Sequence, residues 1–184
     1  MPVWALADLT GSSHAMMSAW KDGGRRDLDA FFAAAMRRQV NAIAPALDGL
    51  GPLAVVPVPS RPASVRRRGV DLPLLLARAV VEGLHEHHRE AVLAPVLRIG
   101  RGEQRGASAR QRWRQASALR MREYTGFQAL RDCEAVVLVD DVLTTGATMA
   151  AATRALGVRF LTVCAGLCLA AAPAASTGAP GGVA

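Results

Sequence analysis

Asp140 and Asp141 stand side by side at the end of an apolar run, Val136 to Val139, and are followed, after Val142 and Leu143, by Thr144, Thr145, Gly146, Ala147 and Thr148. A buried strand has no packing reason to end in paired carboxylates. Residues at the C-terminal end of a parallel strand face the crevice where α/β folds bind ligands, and a loop that opens the next helix presents backbone N–H groups suited to phosphate. The threonine hydroxyls add donors, and Gly146 permits the close backbone approach or unusual dihedrals of a phosphate-cradling turn. Two acids beside such a cradle imply a ligand with a phosphate at one end and hydroxyls or a metal nearby, which is the layout of a sugar phosphate. Acids next to ribose hydroxyls also supply negative potential to a cation-like sugar carbon. Neither GxxxxGK[ST] nor GxGxxG occurs, so the motif is neither a Walker loop nor a dinucleotide fingerprint.

These residues need a scaffold, and the pattern of the chain supplies one. Ser12 to Trp20 reads as a short helix closed by Gly23 and Gly24. Asp27 reads as the N-cap of a long helix, because Leu28, Phe31, Phe32, Ala35, Met36, Val40, Ile43 and Leu47 recur at helical spacing. LAVVPVP, residues 53–59, is β-rich, and SRPASVRRRG after it reads as a loop with four arginines. Asp71 can cap the next helix, with Pro73 in its first turn. APVLRI reads as a second strand, SARQRWRQ as a short helix, Val136 to Val139 as a strand, Thr145 to Leu156 as a helix and Phe160 to Leu169 as a last strand. Alternation of strand and helix from residue 53 onward predicts an α/β fold with a mostly parallel central sheet flanked by helices.

A length of 184 residues suits one domain, and 51% hydrophobic content excludes a disordered chain. The net charge is +7, carried by arginines and the single lysine Lys21. That balance favours anionic partners, whether phosphorylated metabolites, nucleic acid or acidic proteins. Cys133, Cys164 and Cys168 form no CxxC pair, so no disulfide framework or zinc ribbon is readable, and a reducing cytoplasm is expected. The N-terminus lacks a signal-peptide pattern, and the apolar run Phe160 to Ala172 is too short for a membrane span. The histidines of LHEHH, residues 84–88, read as a solvated helix end rather than a metal site, and Cys164 and Cys168 as small core residues. Trp4, Trp20 and Trp113 are too scattered to form a platform for stacked bases.

The stretch VVLVDDVLTTGAT resembles the phosphoribosyl-pyrophosphate (PRPP) binding motif of type I phosphoribosyltransferases. By that resemblance Asp140 and Asp141 contact the ribose hydroxyls, Thr144, Thr145, Gly146, Ala147 and Thr148 hold the 5′-phosphate, and Mg²⁺ rides on PRPP itself rather than in a protein cage. VVPVPSRPASVRRRGVD and QRGASARQRWRQ are similar to segments of the ComF family, as is ADLTGSSHAMMSAWKDGGRRDLDAFF. Gln104, Ser108 and Arg112 match that family's pattern, while Gln115 replaces its usual asparagine and GVDL, residues 69–72, replaces GFNQ. The resemblance implies a type I phosphoribosyltransferase-like fold, with residues 1–50 as an N-terminal helical hood, 51–170 as the core and 171–184 as a disordered tail. Many family members begin with a four-cysteine zinc ribbon; this chain starts where that ribbon would have ended, and no zinc is expected.

Pyrophosphate is a leaving group dense in negative charge, so the basic segment has a role to fill. The backbone of Pro59, Ser60 and Arg61 and the guanidinium groups of Arg66, Arg67 and Arg68, closed by Gly69, follow a strand end and are expected to bind it. Arg101, Gln104, Arg105 and Arg112 are expected in a lid that excludes water. The function expected is transfer of phosphoribosyl from PRPP to an acceptor that the sequence does not name. Its alternatives are a PRPP-binding protein without turnover and a competence protein that touches single-stranded DNA or its uptake machinery. Relatives often pair, so a homodimer is expected as well.

Overall fold

Every residue of Leu53–Pro57 and of Ala135–Val139 is buried. Strands covered on both faces belong in the interior of a parallel sheet, and unbroken apolar runs of this kind are their sequence mark. The computed structural model places both there; it describes residues 1–100, 119–122, 128, 130–157 and 162–173. The strands are β1 (Val3–Asp8), β2 (Leu53–Pro57), β3 (Ala91–Leu93), β4 (Leu97–Ile99), β5 (Leu119–Met121), β6 (Ala135–Val139), β7 (Val142–Leu143) and β8 (Thr162–Ala171). The helices are α1 (Gly11–Lys21), α2 (Asp29–Ile43), α3 (Pro62–Arg68), α4 (Leu72–Glu86) and α5 (Ala147–Gly157).

The main sheet runs in the order β1, β8, β6, β2, β3 with parallel pairing throughout, and β7 adds to β8. Side chains alternate between two cores, as the period of a strand requires. Leu53, Val55, Val137 and Val139 join a core with Trp20, Met36 and Leu76 from α1, α2 and α4. Ala54, Val56, Val136 and Leu138 join the other with Met149, Ala152 and Leu156 from α5 and with Leu97 from β4. From β2 the chain moves outward to β3, and it returns on the other side of β2 as β6. That reversal is a topological switch point, where open α/β sheets form their ligand crevice.

Several expectations need correction. Val3–Asp8, read only as lacking a signal peptide, is the edge strand β1, so the segment 1–50 contributes to the core sheet as well as covering it. Asp27 does not cap the long helix: it lies in a 3-10 turn, Arg26–Leu28, bonded to Arg25, and the helix starts at Asp29. SRPASVRRRG is not a loop throughout, because Pro62–Arg68 is the helix α3. Pro62 suits a first helical position where no N–H is needed, arginine is a good helix former, and Gly69 closes the helix at φ 75° in the left-handed region. Asp71 occupies the N-cap position of α4 but makes no side-chain cap, and its Oδ1 is buried without a partner. APVLRI does not join the main sheet; Leu97–Ile99 pairs antiparallel with Leu119–Met121, and the sheet strand is the shorter Ala91–Leu93. The tail begins later than expected, since Ala171 ends β8 and the Ala172 N–H donates to Leu143 O at 2.7 Å. The expected helix SARQRWRQ and the segment Tyr124 to Phe127 lie outside the described residues. No helix among the described residues is long and apolar enough to cross a membrane.

Candidate functional site

β2 and β6 are neighbours, and their C-terminal ends are in register, with Pro57 opposite Val139. The Val58 N–H extends the ladder by donating to Val139 O at 2.8 Å. The segment Pro59, Ser60 and Arg61 therefore leaves the sheet beside Asp140 and Asp141, at the switch point. Two stretches far apart in sequence open into one crevice.

The two acids are buried to the same degree, each 9% exposed. Their backbone is pinned to β8: Asp140 N–H donates to Leu167 O at 3.0 Å, and Leu169 N–H donates to Asp141 O at 3.1 Å. Asp140 Oδ1 accepts the Asp141 N–H at 2.8 Å. Burial holds the Asp140 carboxyl well above the usual carboxylate range, and the neighbouring Asp141 charge pushes the same way.

Asp141 has a partner that sequence reasoning missed. Lys21 Nζ lies 2.8 Å from Asp141 Oδ2, with side chains 27% and 12% exposed. Lys21 is the last residue of α1, and the preceding Trp20 anchors it: Trp20 is fully buried, packs on Phe32 at 4.4 Å and donates its indole N–H to Asp29 Oδ1 at 2.7 Å. The ammonium is thus aimed by a packed aromatic rather than left on a free stem. One signal was present in the sequence. In a chain whose other basic residues are all arginine, the single lysine marks a place where a compact point charge is used.

The residues of the threonine loop lie together at the start of α5. Thr144, Thr145, Ala147 and Thr148 are exposed at the start of α5, and Gly146 has φ 72°. The Ala147 N–H reaches Thr145 Oγ1 at 3.4 Å, and the first turn closes with Ala150 N–H donating to Gly146 O at 2.9 Å. The earliest N–H groups of a helix have no intrahelical acceptor and stay available to an anion. Gly146→Val is expected to cost about 1–2 kcal/mol, because a branched residue must take a left-handed dihedral. Among the described residues only Leu143 Cδ1, at 4.0 Å, would meet its Cβ, so the cost is in the backbone. Thermal denaturation checks it.

The expected pyrophosphate residues divide into two groups. Pro59, Ser60 and Arg61 lie at the crevice, whereas Arg66, Arg67 and Arg68 occupy the last turn of α3, with Gly69 as its cap. Arg67 Nη2 pairs with Asp22 Oδ1 at 2.8 Å, which ties α3 to the residue after Lys21. Arg68 Nε donates to Ser64 O at 3.3 Å, and its Nη1 is buried without a partner. Arg101, Gln104, Arg105 and Arg112, the expected lid, lie outside the described residues.

Other polar candidates have local explanations. His85 Nε2 is 2.9 Å from Ala91 O, and His87 Nε2 is 2.6 Å from Asn41 Oδ1. Cys168 is buried with its thiol pushed up to about 12, by burial first and by Asp140 second, which leaves it unreactive. Cys164 is half-buried and donates to Val136 O at 3.2 Å. Among the described residues no group of three or more His, Cys, Asp or Glu side chains is placed to hold a metal ion. No family model matches the chain, and no curated protein is significantly similar to it.

Proposed function

We propose that this chain binds PRPP with Mg²⁺ and transfers its phosphoribosyl group to an acceptor, releasing pyrophosphate. The observation that carries this reading is the pairing of Pro57 with Val139, because it sets the Pro59–Arg61 segment beside the paired acids and the threonine loop. In this reading Asp140 and Asp141 hold the ribose hydroxyls, Thr144 to Thr148 hold the 5′-phosphate, and the segment after β2 receives the pyrophosphate. The acceptor's lone pair forms the new bond to the anomeric carbon as the bond to the pyrophosphate oxygen breaks, and the electron pair leaves on that oxygen. Mg²⁺ carried by PRPP would supply positive charge to the leaving group, beside the segment Pro59 to Arg61. The buried acids stabilise the positive charge that develops on the sugar ring.

One observation favours a second reading, a PRPP-binding protein without turnover. Between Asp141 and Thr144 the loop supplies only Val142 and Leu143, which pair with Ala170 and Ala171 on β8 and offer no base for an acceptor proton. A pyrophosphate-release screen with PRPP, Mg²⁺ and a panel of bases and amines separates the two. Release with at least one acceptor supports the transferase. Calorimetric PRPP binding with no release across the panel supports the binder, and no PRPP binding at all sinks both.

A further inference from the structure

The end of α1 touches both walls of the crevice. Lys21 Nζ holds Asp141 Oδ2 at 2.8 Å, and the next residue, Asp22, accepts from Arg67 Nη2 on α3 at 2.8 Å. One wall is the end of β6 with its acids; the other is the segment that leaves β2 at Pro57 and runs through Pro59, Ser60 and Arg61 into α3. Two consecutive residues therefore bridge the expected ribose contacts and the expected pyrophosphate segment, and the fully buried Trp20 fixes the turn they belong to. Lys21 stands at the join.

An ammonium has three N–H donors. Among the described residues Asp141 is the single ion-pair partner of Lys21, so two donors remain, on a side chain 27% exposed. The arginines that the sequence puts forward for the leaving group are placed less well. Arg66, Arg67 and Arg68 follow Pro62 by about 6–9 Å along the axis of α3, at the end away from the crevice. Arg67 is paired with Asp22, and Arg68 Nε donates to Ser64 O. A diphosphate placed beside two buried carboxylates meets repulsion unless a cation stands between them. Lys21 is placed to be that cation.

We infer that Lys21 binds the pyrophosphate of PRPP and stabilises it as it leaves, while keeping its contact with Asp141. The inference rests on the transferase reading and adds to it a residue that neither the acid motif nor the basic segment supplies. In PRPP the diphosphate is carried by the anomeric carbon, on the carbon next to one that bears a ribose hydroxyl. A carboxylate that accepts from that hydroxyl brings its own counter-ion within reach of the diphosphate oxygens. As the bond between the anomeric carbon and oxygen breaks, its electron pair passes to that oxygen, and Lys21 donates a hydrogen bond to the growing negative charge. The proton stays on the lysine, and pyrophosphate departs as the anion. One ion pair thus faces both charges of the breaking bond: Asp141 the cation-like carbon, Lys21 the leaving group.

Ribose 5-phosphate is the discriminating probe on the full chain, because it keeps the ribose hydroxyls and the 5′-phosphate and lacks the pyrophosphate. In calorimetric titration Lys21→Met should weaken PRPP with Mg²⁺ by about tenfold or more, the loss of a hydrogen bond between charged groups, and ribose 5-phosphate by less than about threefold. A lysine that only supports Asp141 would weaken both ligands alike, and that result overturns the inference. Should Lys21→Met fail to fold, the wild-type chain answers the same question, since Lys21 is its one lysine. A diphosphate seated on the ammonium covers it and keeps it charged, so acylation of Lys21 by an amine-reactive ester, read by peptide mapping, should slow about fivefold or more with PRPP or pyrophosphate and Mg²⁺. Ribose 5-phosphate should slow it less than about twofold, because its anomeric carbon carries no phosphate for the ammonium to hold. Equal protection by PRPP and ribose 5-phosphate, or none by pyrophosphate, overturns the inference as well. A wild-type chain that binds neither PRPP nor ribose 5-phosphate is a different result, which removes the transferase reading and the role of Lys21 together.

Discussion

Asp140→Asn combined with Asp141→Asn is expected to lower the affinity for PRPP with Mg²⁺ by at least about 100-fold in calorimetric titration. A hydrogen bond to a charged group is worth about 1.5–3 kcal/mol, so two lost carboxylate contacts to ribose hydroxyls amount to about 3–6 kcal/mol. Every 1.4 kcal/mol is about tenfold. The substitution keeps shape, and an asparagine oxygen at position 140 can still accept the Asp141 backbone N–H that Asp140 Oδ1 holds at 2.8 Å. Unfolding is therefore not the expected cause of the loss, and the single variant Asp140→Asn tests that separately. The folded state raises the Asp140 carboxyl above its unfolded value, through burial first and the Asp141 charge second. Folding then takes up a proton wherever the pH lies between the two values. Stability from this group is full below the ordinary carboxylate range and falls as pH rises through the folded value. Asp140→Asn removes that fall and should raise the thermal midpoint at neutral pH relative to the wild type, with the difference vanishing below the ordinary carboxylate range. A double variant that binds PRPP like the wild type would show that the acids do not hold the ribose.

Lys21→Met should have the opposite effect on the fold. It leaves the Asp141 carboxylate, whose side chain is 12% exposed, without the ammonium at 2.8 Å. Removing one partner of a fully buried pair costs about 3–5 kcal/mol, and the 27% exposure of the Lys21 side chain lowers the expected loss to about 2–3 kcal/mol. Chemical denaturation measures it as a lower midpoint at unchanged slope. Lys21 also pulls the Asp140 carboxyl downward, so its removal should raise that carboxyl further and extend the loss of stability to higher pH. In a double-mutant cycle, Lys21→Met with Asp141→Asn should recover most of the single loss, because an asparagine needs no counter-charge. Strictly additive losses would mean that the 2.8 Å pair contributes nothing to the fold.

What the sequence made legible follows from which signals are local. β2 and β6 announce themselves as unbroken apolar runs, and the acids, the threonines and Gly146 lie within one strand-loop-helix unit whose chemistry needs no distant partner. The α3 segment was misread because four arginines and a proline look like a surface loop, although Pro62 and Gly69 are also a start and a stop for a helix. β1 was missed because VWALAD is an edge strand with no fully buried residue and no alternation of buried and exposed positions, so its short apolar run carries little periodic signal of its own. The pairing of Lys21 with Asp141 was out of reach because it exists only where an N-terminal helix meets the end of a strand more than a hundred residues on, a distance no local pattern spans. The acids could be found from composition and spacing. Their counter-ion required the fold.

The pairing of β1 with β8 ties together distant parts of the sequence. Val3 lies opposite Gly166, so the edge strand is held in the sheet by a strand from the opposite end of the chain. Closing a loop of that length costs entropy before any contact offsets it, which makes such pairings slow steps in folding. α1 follows β1 directly and carries Lys21 at its end. The counter-charge for Asp141 is thus held in place through a long-range pairing, and Asp141 keeps its lysine only while β1 and α1 are docked on the sheet.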